Sequence, residues 1–197
     1  MNDTAWHNSG RGHPAGPASR QTMLNLQGVR FLLVDENRYM RNLLRGILAA
    51  CGSKDVQEAN DGADAFKILR TYQPSIILTD NRMSPLDGVE FTRMLRTSPD
   101  SPCPLTPVIM VAAGTELHNV IAARDAGVHE FLAKPVSAHS LYSRIHRVLT
   151  TQRAFVKAPG YFGPCRRRHA TRSSSIPERR LTPPEVHHPP AEQTLSA

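Results

Sequence analysis

The sequence predicts an α/β fold: a doubly wound parallel sheet of five strands with helices on both faces. Three observations carry this expectation. Five short apolar runs begin about 20–32 residues apart, room each time for a strand, a helix and two loops. The segments between them carry helical periodicity. The runs are apolar along their length, as parallel strands covered on both faces must be.

Residues 1–27 (with GRGHPAGPAS) read as a flexible arm. The first strand is expected at Arg30–Asp35 (RFLLVD). Met40, Leu43, Leu44, Ile47, Leu48 and Cys51 then form one continuous helical stripe, with Asn37 placed as its N-cap. The second strand is Asp55–Ala59, followed by Asp61 as a cap. The third is Ser75–Asp80, followed by Asp87 as a cap and a helix carrying Phe91, Met94 and Leu95. Pro99, Pro102, Pro104 and Pro107 end that helix and make a longer loop. The fourth strand, Pro107–Ala112, leads to a helix with Leu117, Val120 and Ile121 on its apolar stripe. The fifth, Val128–Ala133, leads through the cap Ser137 to Leu141, Ile145, Val148 and Leu149. The periodicity stops after Thr151. One domain is therefore expected over residues 28–152, and residues 153–197 are expected to be a disordered basic tail rich in Pro and Arg.

The charge supports that division. The chain carries +7 overall, yet Gly28–Thr150 holds 14 Lys/Arg against 13 Asp/Glu, while residues 153–197 hold 8 against 3. A nearly neutral domain argues against a nucleic-acid-binding face on it, leaving the tail as the one place for such contact. Cys51, Cys103 and Cys165 are far apart and form no CxxC, so neither a disulfide framework nor a zinc site is expected, and a reducing, cytoplasmic setting is. Neither a secretory signal nor a membrane span is expected.

Three of the strands finish on reactive residues: Asp35 and Glu36 after the first, Asp80 at the third, Lys134 after the fifth. In a flavodoxin-like strand order of 2-1-3-4-5 the first and third strands are neighbours, and their carboxyl ends form the edge where ligands sit. Asp35, Glu36 and Asp80 would then converge. Three carboxylates repel one another, and Mg²⁺, a hard cation that takes oxygen ligands and keeps several waters, removes that cost. Asp80 would be a nucleophile able to form an acyl phosphate, with Lys134 as a compact positive charge for phosphoryl oxygens.

The segments Val34-Asp35-Glu36, Thr79–Gly88 (TDNRMSPLDG), Pro107–Ala113 (PVIMVAA) and Glu130–Pro135 (EFLAKP) resemble, in order, the motifs of the receiver domain of two-component response regulators, over about Val29–Thr150. The resemblance implies that Asp80 is the phosphoacceptor, that Asp35, Glu36, Asp80 and the main-chain carbonyl of Arg82 hold Mg²⁺, and that Lys134 binds the phosphoryl group and precedes a cis peptide bond to Pro135. It makes Phe131 the aromatic that turns inward on activation, and Met83, Pro85, Asp87 and Gly88 the loop after the acceptor. One departure stands out: Ala112 occupies the position of the hydroxyl residue that couples phosphorylation to movement, and Thr115 stands three residues on. The implied partners are a sensor histidine kinase or histidine phosphotransfer protein and a downstream protein target, met through the fourth helix, fifth strand and fifth helix.

A single-domain, non-enzymatic regulator is the expectation, because the remaining chain is too polar and proline-rich to fold an output domain. Two alternatives belong to other classes. Ala112 favours a phosphorylation-independent scaffold that keeps the fold. Arg166–Arg168, Arg179 and Arg180, with Tyr161 and Phe162 nearby, favour a basic tail that binds nucleic acid. A metal-dependent phosphatase is disfavoured, because Arg82 stands where its second aspartate is needed. His146, on the last helix, reads as a surface residue rather than a phosphodonor, and the pair His187-His188 could bind metal, though a pair in a disordered tail is weak evidence for a site.

Overall fold

The computed structural model describes residues 25–114, 116–151, 153–166 and 185–187. Five strands, β1 (Phe31–Val34), β2 (Val56–Ala59), β3 (Ile76–Asp80), β4 (Val108–Ala112) and β5 (Glu130–Ala133), alternate with helices α1 (Arg38–Ala50), α2 (Gly62–Leu69), α3 (Gly88–Thr97), α4 (Leu117–Ala126) and α5 (Ala138–Thr150). The strands form one parallel sheet in the order β2-β1-β3-β4-β5, as the sequence predicts.

Alternation along each strand feeds two cores. Phe31, Leu33, Leu78, Ile109, Val111 and Leu132 face Leu44 and Leu48 of α1 and Leu141 and Ile145 of α5. Leu32, Val34, Ile77 and Met110 face Ala65 and Leu69 of α2, Phe91 and Leu95 of α3 and Ala123 of α4. All four residues of β1 and all five of β4 are buried, because helices cover both faces. The four expected N-caps are in place. Asn37 accepts from Tyr39 N (2.9 Å), Asp61 from Ala63 N (2.7 Å), Asp87 from Glu90 N (2.8 Å) and Ser137 from Ser140 N (3.1 Å).

Three features differ from the sequence expectation. Packing starts before residue 28: Leu26 is fully buried and its N–H donates to Cys51 O (3.0 Å). Of the expected stripe of α4, Val120 is half-buried but the other two residues turn outward. Leu117 is 74% exposed and Ile121 37%, while Ala123 and Ala126 are buried. Two methyl-sized side chains bring the helix close to the sheet, which turns the larger residues outward.

The third difference is a correction to the expected disordered tail. Its described part forms an antiparallel sheet, β7-β6-β8, from β6 (Phe155–Ala158), β7 (Tyr161–Pro164) and β8 (Glu185–His187). Pro159-Gly160 makes a two-residue turn, with Gly160 at φ 75°. A hairpin alone is marginal in water, so its stability comes from docking. Phe155 is 1% exposed, with its ring centroid 5.3 Å from His129 and 5.7 Å from Phe162, and the Arg96 guanidinium lies 5.2 Å over it. Arg153 donates to His129 O (3.0 Å) and to Cys165 O. A Cβ on Gly163 would meet Gly127 Cα at 2.9 Å, so the two backbones touch where neither residue has a side chain. The expectations for residues 1–24, 167–184 and 188–197, including Arg167, Arg168, Arg179, Arg180 and His188, fall outside the described residues.

Burial of His129 has a consequence for stability. Its ring is enclosed and its Nδ1 accepts from Val108 N (3.3 Å), which requires the neutral imidazole. Burial first, then the charges of Arg96 and Arg153, hold its pKa well below the usual histidine value. The unfolded chain therefore binds a proton below about pH 6.5 that the folded chain refuses, and stability falls with falling pH from there down to the folded-state value. The slope contributed by this one residue approaches about 1.4 kcal/mol per pH unit. Urea unfolding between pH 7.5 and 5 is expected to show it in the wild type, and His129→Gln is expected to remove that component. Parallel curves for the two proteins would contradict it.

Candidate functional site

The parallel register of β1 and β3 sets the site. Val34 lies opposite Thr79, so the next residues, Asp35 and Asp80, leave the sheet side by side. Lys134 follows β5, one strand beyond β4, and reaches both. Its Nζ donates to Asp80 Oδ1 (2.9 Å) and to Asp35 Oδ2 (3.2 Å). The side chains of Asp35, Asp80 and Lys134 are 3%, 12% and 18% exposed, so this triad is largely withdrawn from solvent. Asp35 Oδ1 accepts from Asn37 N (2.8 Å), which fixes its carboxylate. Among the described residues no donor reaches Asp80 Oδ2, and Asp80 lines an open cleft.

Glu36, Arg82 and Ala112 line the same cleft. Glu36 is exposed at the rim, and among the described residues no three acidic, His or Cys side chains are clustered closely enough to hold a metal unaided. The expected convergence of three carboxylates is thus two carboxylates joined by an ammonium, with the third at the mouth. The carboxylates of Asp35, Glu36 and Asp80 offer the cleft oxygen donors, and among the described residues no thiolate lines it, which suits a hard dication whose shell is completed by water. Ala112 is 1% exposed, and its carbonyl accepts from Lys134 N (2.8 Å). Its methyl group carries no donor or acceptor toward the cleft. Thr115 lies outside the described residues.

The loop after Asp80 turns back on itself. Gly88 N donates to Asn81 O (3.0 Å), and a Cβ on Gly88 would stand 1.9 Å from Asp80 O, so only glycine permits the closure. The expected cis bond Lys134-Pro135 is present, as is a second, Ser84-Pro85.

The Response regulator receiver domain model matches residues 31–146. This chain belongs to that family. A response regulator MprA of Mycobacterium leprae is 33% identical over 121 residues, covering 61% of this chain and 51% of the relative. The MprA of a second Mycobacterium, strain KMS, is 32% identical over 121 residues, covering 61% and 50%. The chain thus spans about half the length of these curated relatives. The chemotaxis protein CheY4 of Vibrio cholerae, crystallised at low pH, has a TM-score of 0.57 and 26% identity, covering 61% of this chain and 98% of that one. The receiver domain of a Francisella response regulator has a TM-score of 0.53 and 25% identity, covering 60% and 93%.

Within this receiver domain, Phe131 is half-buried on β5 against the core of α2, α3 and α4, and it lines a small cavity with Tyr161 and Pro164 of β7. Sequence reasoning missed Arg41. It is 9% exposed and donates to Asp35 O (2.5 Å) and Glu58 Oε2 (2.9 Å), pinning the turn that presents Asp35. Its partners belong to other elements, the end of β1 and strand β2, so the helical pattern of α1 does not mark it.

Lys134→Met is expected to leave Asp35 and Asp80 facing each other without a cation. The receiver domain should lose about 2 kcal/mol in urea unfolding at pH 7, and millimolar MgCl₂ should restore more stability to the variant than it adds to the wild type. Unchanged unfolding would show that the ammonium does not neutralise the pair.

Proposed function

We propose that this receiver domain accepts a phosphoryl group on Asp80 from a sensor histidine kinase or a histidine phosphotransfer protein and signals through protein–protein contact. The contact of one ammonium with both Asp80 and Asp35 is the observation that supports this reading most directly. Asp80 Oδ2, the oxygen not held by Lys134, attacks the phosphorus. The P–N bond to the donor imidazole breaks as the P–O bond of the acyl phosphate forms, and the electron pair returns to the imidazole nitrogen. Lys134 holds Oδ1 and aims the carboxylate, then faces the equatorial oxygens as a point charge.

Asp35, Glu36, Asp80 and the main-chain carbonyl of Arg82 are the groups that would hold Mg²⁺, which when bound neutralises phosphoryl charge. Asn37 N and Arg41 keep Asp35 in position for that role. The domain is a regulatory phosphoacceptor, not a conventional enzyme. A cytoplasmic location fits these roles. Among the described residues no helix is long and apolar enough to cross a membrane.

Output through α4, β5 and α5 is supported by Leu117, which is 74% exposed at the start of α4. Ala112 gives no hydroxyl to bond a phosphoryl oxygen. The chemistry on Asp80 does not need that bond, but the conformational response does, and one charge-assisted hydrogen bond is about 1.5–3 kcal/mol of coupling. The domain therefore takes phosphate normally and responds weakly through α4 and Phe131.

Incubation with acetyl phosphate and Mg²⁺ is expected to add one phosphoryl mass, labile to hydroxylamine, to the wild type and none to Asp80→Asn or to samples in EDTA. A wild type that stays unlabelled would favour the phosphorylation-independent scaffold. Ala112→Thr should label within about threefold of wild type, and its phosphorylation-dependent amide shifts in α4 and β5 should be larger. Identical shifts in both proteins would remove Ala112 from the account.

A further inference from the structure

At the end of the sheet opposite the Asp80 cleft, α3, the proline-rich loop, the end of α4 and the C-terminal hairpin enclose a second cavity. Its lining includes Arg93, Arg96, Asp125, Lys157, Tyr161 and His187. Three of these side chains are cationic, a fourth can become so, and one is acidic. Asp125 is already engaged, at 2.9 Å from Arg124 and 3.1 Å from Arg166. Lys157 meets Glu185 only loosely, at 3.9 Å.

Arg96 is the deepest of them, 3% exposed, and among the described residues it has no carboxylate partner. Its Nε donates to Gly127 O (3.2 Å) and its Nη1 to Pro104 O (2.6 Å). Its Nη2 is buried with no partner. Burial lowers its pKa to about 9, the signature of a cation held without enough compensating charge. A second buried nitrogen in the same cavity, His187 Nε2, is also without a hydrogen bond, since Glu185 Oε1 lies 3.2 Å away but outside hydrogen-bonding geometry. Buried polar groups are satisfied in folded proteins with few exceptions, and two orphans lining one cationic cavity call for a shared acceptor.

We propose that this cavity binds a small oxyanion, a phosphate or carboxylate group, between Arg96 and His187, with Arg93 and Lys157 at its mouth. A guanidinium with a free N–H and an imidazole lining the same cavity both offer donors to the lone pairs of such a group. The site is built jointly by the receiver domain and its C-terminal hairpin, so its ligand stabilises the docked hairpin. It does not depend on phosphoryl transfer at Asp80.

The test titrates the full chain with inorganic phosphate and, separately, with succinate, at low salt and without Mg²⁺, by calorimetry and thermal unfolding. Saturable one-to-one binding is expected, with a melting temperature that rises with ligand concentration. Asp80→Asn should bind equally well, which separates this site from the cleft. Arg93→Gln combined with Lys157→Gln changes only exposed side chains, and it should weaken binding at least about tenfold. Tighter binding of phosphate identifies a phosphate-bearing ligand, and tighter binding of succinate a carboxylate. Absence of saturation by about 10 mM of either anion would overturn the proposal. So would loss of binding in Asp80→Asn, or undiminished binding in the double variant.

Discussion

One ammonium group organises the functional edge of this domain. Asp35 and Asp80 are forced together by the pairing of β1 with β3, and two carboxylates at that distance repel in a partly dehydrated pocket. Lys134 offsets the repulsion by bonding both, and to reach them it must cross the end of β4. The strand order brings the three groups within reach, and the bond from Lys134 N to Ala112 O anchors the lysine at that edge. The same arrangement leaves one oxygen of Asp80 open to the cleft, where an electrophile can approach.

The sheet was readable because parallel strands buried on both faces leave an unbroken apolar record, and FLLV, IILT and VIMVA are such records. Helix starts were readable because Asn37, Asp61, Asp87 and Ser137 act locally, within three residues of the groups they satisfy. The candidate site was readable at the level of which residues meet, since the order of motifs fixes strand ends. The position of Glu36 at the rim was not, because it depends on side-chain direction rather than on register.

Two structural facts were not written locally. The face that α4 buries is set by how closely Ala123 and Ala126 can approach the sheet, and counting apolar residues favours Leu117 and Ile121 instead. The hairpin of β6 and β7 has a turn signal in Pro159-Gly160, but its strands are too short and too mixed to stand alone. It is stable through Phe155 against His129 and Arg96, and through the glycine contact between residues 127 and 163. Those partners lie roughly 30–60 residues earlier in the chain, so a windowed pattern cannot contain them.

The docked hairpin also changes the meaning of the chain's positive charge. Residues 153–197 carry most of the excess, which taken alone suggests a tether for polyanions. Yet Arg153 spends its guanidinium on the carbonyls of His129 and Cys165, and Arg166 lies 3.1 Å from Asp125 and 4.1 Å over the Tyr161 ring. These two arginines act inward, fastening the extension to the end of α4 and to His129 just before β5. A polyanion competing for them would first have to break those contacts. Arg153 and Arg166 are therefore better explained as fasteners of the α4–β5 edge than as part of a free electrostatic arm. The exposed start of α4, with Leu117, stays uncovered by the described part of the hairpin, whose β7 contacts fall on the other end of that helix.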